Sequence, residues 1–136
     1  MPCLIKCYPG GIDHNMNVVV RTQTGGKLPG RNPKGFSPRD GERVFLWTIE
    51  QGHGGEGLAQ RGYVRDFHSE GKTFRLQVLD VEPPARAFRG ADVTDYPHRS
   101  GAESSIKHKI GRLRHPSVVQ ITEEEAAYLD GFYRLS

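Results

Sequence analysis

Residues 41–64, GERVFLWTIEQGHGGEGLAQRGYV, decide the fold, because they pair a strand carrying the only tryptophan with a second strand across a glycine-rich connection. In residues 43–49 apolar side chains occupy both alternating sets of positions, which predicts a strand covered on both faces. Such a strand is typical of the centre of a small barrel. The glycines permit a sharp bend and a second strand that another group can approach closely. The stretch predicts a binding pocket beside Trp47, although an ordinary hairpin with a core tryptophan explains the same pattern.

The length and composition of the chain indicate a single domain spanning residues 1–136. With 35% hydrophobic residues, 17 glycines and 9 prolines, the chain suits short strands and ordered loops better than a helical bundle. No apolar run approaches the roughly 18 residues of a membrane span, and the N-terminus MPCLIKCYPG lacks the features of a signal peptide. The sequence therefore predicts a cytoplasmic protein with no membrane partner.

The rest of the chain reads as short strands followed by two helices. Alternating or β-branched residues predict strands over residues 4–8, 17–22, 57–66, 73–81 and 118–121.

Two features predict the helices. Ile106 and Ile110 recur at helical spacing, which predicts a helix over residues 104–113 with an apolar stripe against the sheet. The cations of this helix, Lys107 among them, are expected to point into solvent. Residues 122–125, TEEE, have the spacing of a capping box and predict the start of a final helix.

The cysteines and histidines give no signal for a disulfide, a metal site or a cofactor. Cys3 and Cys7 lie four residues apart, and on an extended strand their Cα atoms would be about 13 Å apart, too far for a disulfide bond. A structural zinc site needs further ligands, and none of the six histidines falls in a paired spacing that would anchor one. We therefore expect neither a metal ion nor a cofactor.

Charge is distributed unevenly along the chain. Residues 86–115 hold seven Lys and Arg side chains against three carboxylates, a net charge of +4, whereas residues 116–136 hold one arginine against four carboxylates, a net charge of −3. A polyanion is therefore expected to meet the middle segment and not the tail. A solvated basic loop without a ligand remains the alternative.

The order of these segments resembles the EVE group of the PUA-like superfamily. An opening strand LIKCY, the turn and strand GERVFLW, the strand GLAQRGYV, a polar strand and a basic region leading to VVQITEEEAAYL follow one another as in that family. GERVFLW is similar to the family's Gly-Asp-x-Val segment, with Glu42 in place of the aspartate. The resemblance implies an α+β fold, with a compact, mostly antiparallel β-barrel flanked by short helices.

The resemblance also implies a pocket that takes an unusual or modified base from nucleic acid. Trp47 is then the expected stacking platform, since stacking on an aromatic face stabilises a bound base by about 1–3 kcal/mol. The segment Lys6-Cys7-Tyr8 resembles the Lys-Ser-Tyr or Lys-Ser-Glu segment of the related YTH and EVE modules, with cysteine in place of serine. Lys6 and Tyr8 are therefore candidate contacts to the base.

Further contacts are assigned by position. Arg21 and Thr22 close the second predicted strand beside the glycine-rich rim, where they would read a base edge or else form a salt bridge and a turn contact. His53 lies between glycines, where it would reach the pocket or remain solvated. The candidates for phosphate contacts are Arg99, Lys107 and Arg112.

Two other functions stay open. A metal-dependent nuclease would draw on the histidines and Glu103, but their spacing matches no known arrangement, and no catalytic or nucleotide-binding motif occurs, so we do not expect an enzyme. A small-molecule or protein-binding module of the same fold is the second alternative. The sequence does not distinguish DNA from RNA, nor does it say whether a separate effector protein, such as a nuclease, acts with the domain.

Overall fold

A computed structural model of the chain describes residues 2–21, 38–49, 57–70, 73–89, 93, 101–112 and 116–134. These residues contain the strands β1 (Cys3–Cys7), β2 (Asn17–Arg21), β3 (Arg43–Thr48), β4 (Gly57–Glu70), β5 (Thr73–Glu82) and β6 (Ser117–Gln120). They also contain the helices α1 (Ala102–Arg112) and α2 (Glu123–Asp130), and 3₁₀ turns at Pro9–Gly11 and Gly131–Tyr133. The protein is α+β, as predicted, and neither described helix is long and apolar enough to cross a membrane.

The strands form one mixed sheet in the order β2-β5-β4-β3-β1-β6. β1 pairs with β3 in parallel, while the other four pairings among the described strands are antiparallel. The prediction of a mostly antiparallel sheet is therefore confirmed. The prediction of a closed barrel is wrong, because β2 and β6 lie at opposite edges of the sheet. β2 lies near β1 and β6 across the interior of the curled sheet, but its hydrogen-bonded partner strand is β5.

β3 is buried on both faces, as its sequence predicts. Val44 and Leu46 point into what we call the inner core, whereas Phe45 and Trp47 point to the opposite side of the sheet. The inner core draws side chains from all six strands: Cys3, Ile5, Cys7, Val18, Val20, Val44, Leu46, Val64, Phe74, Leu76, Val78 and Val118. One face of the sheet is thus wrapped around its own apolar side chains.

Two β-bulges allow the sheet to curl in this way. Asp66 in β4 and Asp80 in β5 have φ angles of 56° and 53°, in the left-handed region that aspartate tolerates better than most residues. The register between β4 and β5 shifts near both positions. Because a bulge bends its strand and increases the twist, β5 and β2 fold over the inner core.

The helices cover the other face of the sheet. We call this layer the helix-side core, and it consists of Leu4, Phe45, Trp47, Ile49, Leu58, Phe88, Val93, Ile106, Ile110, Val119, Ile121, Ala126, Leu129 and Tyr133. Ile106 and Ile110 are the predicted apolar stripe of α1, and both are buried. Ala126, Leu129 and Tyr133 form the corresponding stripe of α2 and the turn that follows it.

The predicted capping box at the start of α2 is confirmed. Thr122 Oγ1 accepts a hydrogen bond from the Glu125 amide at 3.1 Å, and Glu125 Oε1 accepts one from the Thr122 amide at 2.8 Å. Glu125 is itself buried and also accepts from Ser105 Oγ at 2.6 Å and Lys109 Nζ at 2.7 Å. Burial alone would raise the pKa of Glu125, but these hydrogen bonds hold it below its usual value. Glu125 therefore joins α1 to α2 as an ionised group.

Replacing Thr122 tests this junction. Thr122→Ala is expected to lower the free energy of unfolding by about 1 kcal/mol, because it removes the acceptor for the Glu125 amide. Urea denaturation measures the change. Glu124→Gln alters an exposed side chain of the same first turn and is expected to change stability by less than about 0.5 kcal/mol. Equal losses in the two variants would contradict the capping role.

Candidate functional site

β1 and β3 bring two of the predicted base contacts together. The two strands run parallel, and in their register Lys6 lies beside Trp47. On its other side Lys6 is paired with Ser117 of β6. Paired residues of neighbouring strands point to the same face of a sheet, so all three side chains lie on the helix side. The resulting group of lysine, tryptophan and serine sits on the most buried strands of the protein.

Lys6 is a buried lysine with an intramolecular partner. Only 2% of the residue is exposed, and its Nζ donates to the Ile110 carbonyl oxygen at 2.6 Å. Ile110 belongs to the last turn of α1, where the helix dipole favours a positive charge. Burial nevertheless disfavours the ammonium form and lowers the pKa of Lys6 to about 8.

Ser117 supplies a second buried polar group beside Lys6. The residue is fully buried, and its Oγ has no hydrogen-bond partner among the described residues. A buried hydroxyl without a partner costs free energy. Because a serine hydroxyl both donates and accepts, Ser117 is able to bond either kind of polar edge.

Trp47 is covered in this structure. It is 1% exposed, and its ring meets the Phe88 ring edge-on, with centroids 5.2 Å apart and planes at 82°. Phe88 in turn stacks on Phe132 at 4.5 Å and 12° and contacts Tyr128 edge-on at 6.1 Å. The tryptophan is therefore part of an aromatic cluster in the helix-side core, and Phe88 has to move before a ligand can take its place against the indole ring.

The segment that carries Phe88 follows β5 and lies against the start of β4. Leu58 N donates to the Phe88 carbonyl oxygen at 2.8 Å. A Cβ atom on Gly57 would lie only 2.1 Å from that oxygen, so the approach requires glycine. This confirms that the glycine-rich stretch allows a close approach, and it shows that the chain after β5 covers this part of the sheet. The group that approaches is the protein's own backbone.

Tyr8 directly follows β1 and is exposed. It is 45% exposed, and only two other large apolar residues among those described are comparably exposed, Tyr63 and Val81. Unlike Trp47, its ring is available to a ligand without any rearrangement. Tyr8 follows Lys6 by two residues, so an accessible aromatic ring lies just beyond the end of the strand that carries the buried lysine.

The structure describes the backbone of two other predicted contacts, Arg21 and Arg112, and three more lie outside the described residues. Arg21 ends β2, which pairs with β5 at the far edge of the sheet from β6. Arg112 ends α1. Thr22, His53 and Arg99 lie outside the described residues. The site assignments of these five residues stay predictions.

The prediction that Lys107 points from α1 into solvent is wrong. The residue is only 8% exposed, and its Nζ is 3.0 Å from Glu103 Oε1. Lys109 is held by Glu125 in the same way. Two cations of the basic segment therefore already have carboxylate partners, and a phosphate would have to compete with Glu103 for Lys107.

A second polar cluster, not predicted from the sequence, lies on β3 and β4. Arg43 and Arg61 both donate to Asp130 Oδ1, and Arg61 also pairs with Glu82. The Arg61 guanidinium lies 4.4 Å from the centroid of the Tyr133 ring. A cavity of about 500 Å³ beside it is lined by Arg43, Val44, Phe45, Arg61, Gly62, Tyr63, Asp80 and Glu82. The signs of charge are balanced there, which does not favour a polyanion.

The two cysteines are buried and unreactive. Cys3 and Cys7 are free and buried, and burial raises the pKa of both thiols, which keeps them in the unreactive protonated form. Within the described part of the chain, no group of three or more histidine, cysteine or acidic side chains is arranged to hold a metal ion.

Comparison with known proteins adds no identification. No protein-family model matches the chain, and neither a curated protein nor a solved structure is significantly similar to it.

The lowered pKa of Lys6 predicts a pH dependence of stability. Between its folded pKa of about 8 and its ordinary value of 10.5, Lys6 binds fewer protons in the folded state, so its contribution to stability rises with pH. From pH 7 to pH 9 the free energy of unfolding should rise by about 1 kcal/mol more in the wild type than in Lys6→Met. Titration of the two cysteines is common to both proteins and cancels in the comparison. Equal pH dependence of both proteins in urea denaturation would contradict the lowered pKa.

Proposed function

We propose that the protein is a PUA-like, EVE-type module that binds nucleic acid and recognises a modified base without changing it chemically. The observation that supports this best is the placement of Lys6 beside Trp47 on neighbouring strands, with the exposed Tyr8 just beyond the end of β1. A buried cation, a hydroxyl without a partner among the described residues, and an indole lie on three adjacent strands. Together they provide the polar and aromatic groups that the capture of a single base requires.

The proposed mechanism is capture of an unstacked base. Trp47 forms the inner wall of the pocket, and Lys6 Nζ and Ser117 Oγ offer hydrogen bonds to the polar edge of the base. Lys6 donates, whereas Ser117 donates or accepts. Tyr8, at the mouth, stacks on an exposed nucleotide. Arg21, Thr22 and His53 are proposed as further base contacts at the rim.

The energetics require contacts outside the pocket. Unstacking a base costs a few kcal/mol, and stacking returns about 1–3 kcal/mol per base. Phosphate contacts must therefore hold the backbone, and Arg99, Lys107 and Arg112 are proposed for this role. Such contacts make the affinity fall with salt concentration. Specificity comes from the pocket, and most of the salt dependence from the cations.

A binding module for a small molecule or a protein is the second candidate. The observation in its favour is the cavity on β3 and β4, where exposed Tyr63 stands beside Arg43, Arg61 and Glu82. Mixed charge around an aromatic side chain suits a polar protein surface better than a phosphate backbone. Substitution of Tyr63 distinguishes binding of a small molecule or protein at this cavity from base capture.

Two exposed tyrosines allow a matched test of the proposal. Tyr8→Ala is expected to weaken binding of an oligonucleotide by about tenfold, because stacking of one base is lost. Tyr63→Ala removes an equally exposed ring from the cavity on β3 and β4 and should leave that affinity unchanged. Fluorescence anisotropy is measured with DNA and RNA, unmodified or carrying a methylated cytosine or adenine, over a series of salt concentrations.

The outcomes of this test are distinct. A preference for one modified base, lost in Tyr8→Ala and kept in Tyr63→Ala, supports base capture. Salt-sensitive binding that ignores both the modification and Tyr8 would reduce the function to a nonspecific basic surface. If no oligonucleotide binds, the nucleic-acid proposal fails and the cavity beside Tyr63 becomes the better candidate.

A further inference from the structure

The ring of Phe88 sits in a box of aromatic side chains. Phe132 lies parallel to it, with centroids 4.5 Å apart, while Trp47 and Tyr128 present their rings at 82° and 84°. Parallel stacking on one side and perpendicular rings on two others is a setting that suits any flat aromatic ring. Phe88 fills that setting from within the same chain.

Phe88 is the one buried residue of the segment that carries it. The other residues between Pro83 and Arg89 are exposed or half-buried. Hydrogen bonds hold the segment, which we call the strap: the Ala85 and Arg86 amides donate to the Phe132 carbonyl, each at 2.9 Å, and Leu58 N donates to the Phe88 carbonyl. The Arg86 side chain adds a hydrogen bond to the Gly131 carbonyl at 2.6 Å and lies 5.3 Å from the centroid of the Phe132 ring. The strap belongs to no strand or helix. The strap can therefore leave the box without breaking a ladder of the sheet.

Departure of the strap would expose a matched pair of backbone groups. Leu58 N loses its acceptor, and the Phe132 carbonyl oxygen loses both of its donors. The departure therefore frees one backbone donor and one backbone acceptor beside the aromatic box, and a ligand with polar groups can bond them. A nucleobase carries both hydrogen-bond donors and acceptors on the edge of a flat ring.

We propose, on the basis of the proposed function, that a flipped nucleobase takes the place of the Phe88 ring, stacking on Phe132 and meeting Trp47 edge-on. The freed Leu58 N and Phe132 carbonyl oxygen are then available to polar atoms of the base, besides Lys6 Nζ and Ser117 Oγ. Phe132 is thus the stacking platform of the pocket, and Phe88 is an internal occupant that keeps the pocket closed. A base has to displace Phe88 before it reaches Trp47.

This arrangement lowers the apparent affinity for nucleic acid. When only a fraction of molecules has the pocket open, the apparent dissociation constant rises by the reciprocal of that fraction. Phe88→Ala removes the internal occupant, so it should bind the preferred modified oligonucleotide at least tenfold more tightly than the wild type. An unmodified oligonucleotide should gain less. If Phe88 were merely part of the core, its loss would leave affinity unchanged or weaken it.

A matched variant controls for lost packing. Phe74→Ala removes an equally buried phenylalanine from the inner core, on the opposite face of the sheet, where it stacks on Phe67. It should lose stability in the same way as Phe88→Ala without any gain in affinity. Phe88→Leu leaves a smaller occupant in place and should show an intermediate gain, and it serves if Phe88→Ala does not fold.

Hydrogen exchange of the wild-type protein gives a second, independent readout. In the complex, the amides of Ala85 and Arg86 should exchange faster than in the free protein, because the strap no longer bonds to Phe132. The amides of β1 and β3 should not change in that direction. A ligand that only stabilises the folded state slows exchange throughout.

The outcomes separate this inference from the proposed function. Tighter modified-base binding by Phe88→Ala, with faster exchange in the strap, supports both, even if wild-type binding is too weak to measure. Suppose the wild type binds the oligonucleotide, Phe88→Ala binds it no more tightly, and the strap amides do not exchange faster in the complex. That result would overturn the replacement of the Phe88 ring by a base and leave base recognition standing. If neither the wild type nor Phe88→Ala binds any oligonucleotide, both proposals fall.

Discussion

The structure depends on the burial of β1 and β3 on both faces. Every residue of β1 is buried, and so is β3 from Val44 onward. A strand with apolar side chains on both sides needs two covering layers, and the chain supplies them differently. The curled sheet covers one face with its own strands β2 and β5, and the two helices cover the other. Lys6 carries a charge among these buried positions, and the carbonyl of Ile110 near the end of α1 accepts its hydrogen bond.

Local patterns predicted most of the fold. The two-sided apolar pattern of β3, the helical spacing of α1 and the capping box of α2 each depend on residues close in sequence, and all three are confirmed. The closed barrel was wrong because closure depends on which strands meet at the edges, and short strands do not encode that locally. The bulges at Asp66 and Asp80 also left no recognisable signal, since aspartate is common in turns and strands alike.

Less of the candidate site could be predicted from the sequence, again because contacts between distant segments leave no local pattern. The neighbourhood of Lys6 and Trp47 followed from a resemblance in the order of segments, whereas the aromatic box needs Phe88 and Phe132, which come from segments far apart in the chain. No periodicity links them. The exposure of a cation is equally hard to predict from sequence. The spacing of apolar residues in α1 placed Lys107 on the solvent side, yet the residue is buried and pairs with Glu103 one turn earlier. Charge counts along a chain therefore overstate the charge that a ligand meets.

In the proposed function a base enters the pocket beside Trp47. The fluorescence emission of Trp47 tests this most directly, because the chain contains no other tryptophan. The experiment titrates the wild-type protein with an oligonucleotide carrying a single modified base, with the unmodified oligonucleotide as the reference. We expect the emission of buried Trp47 to change saturably with the modified base and little with the reference. Tight binding of either oligonucleotide with unchanged Trp47 emission would contradict the account.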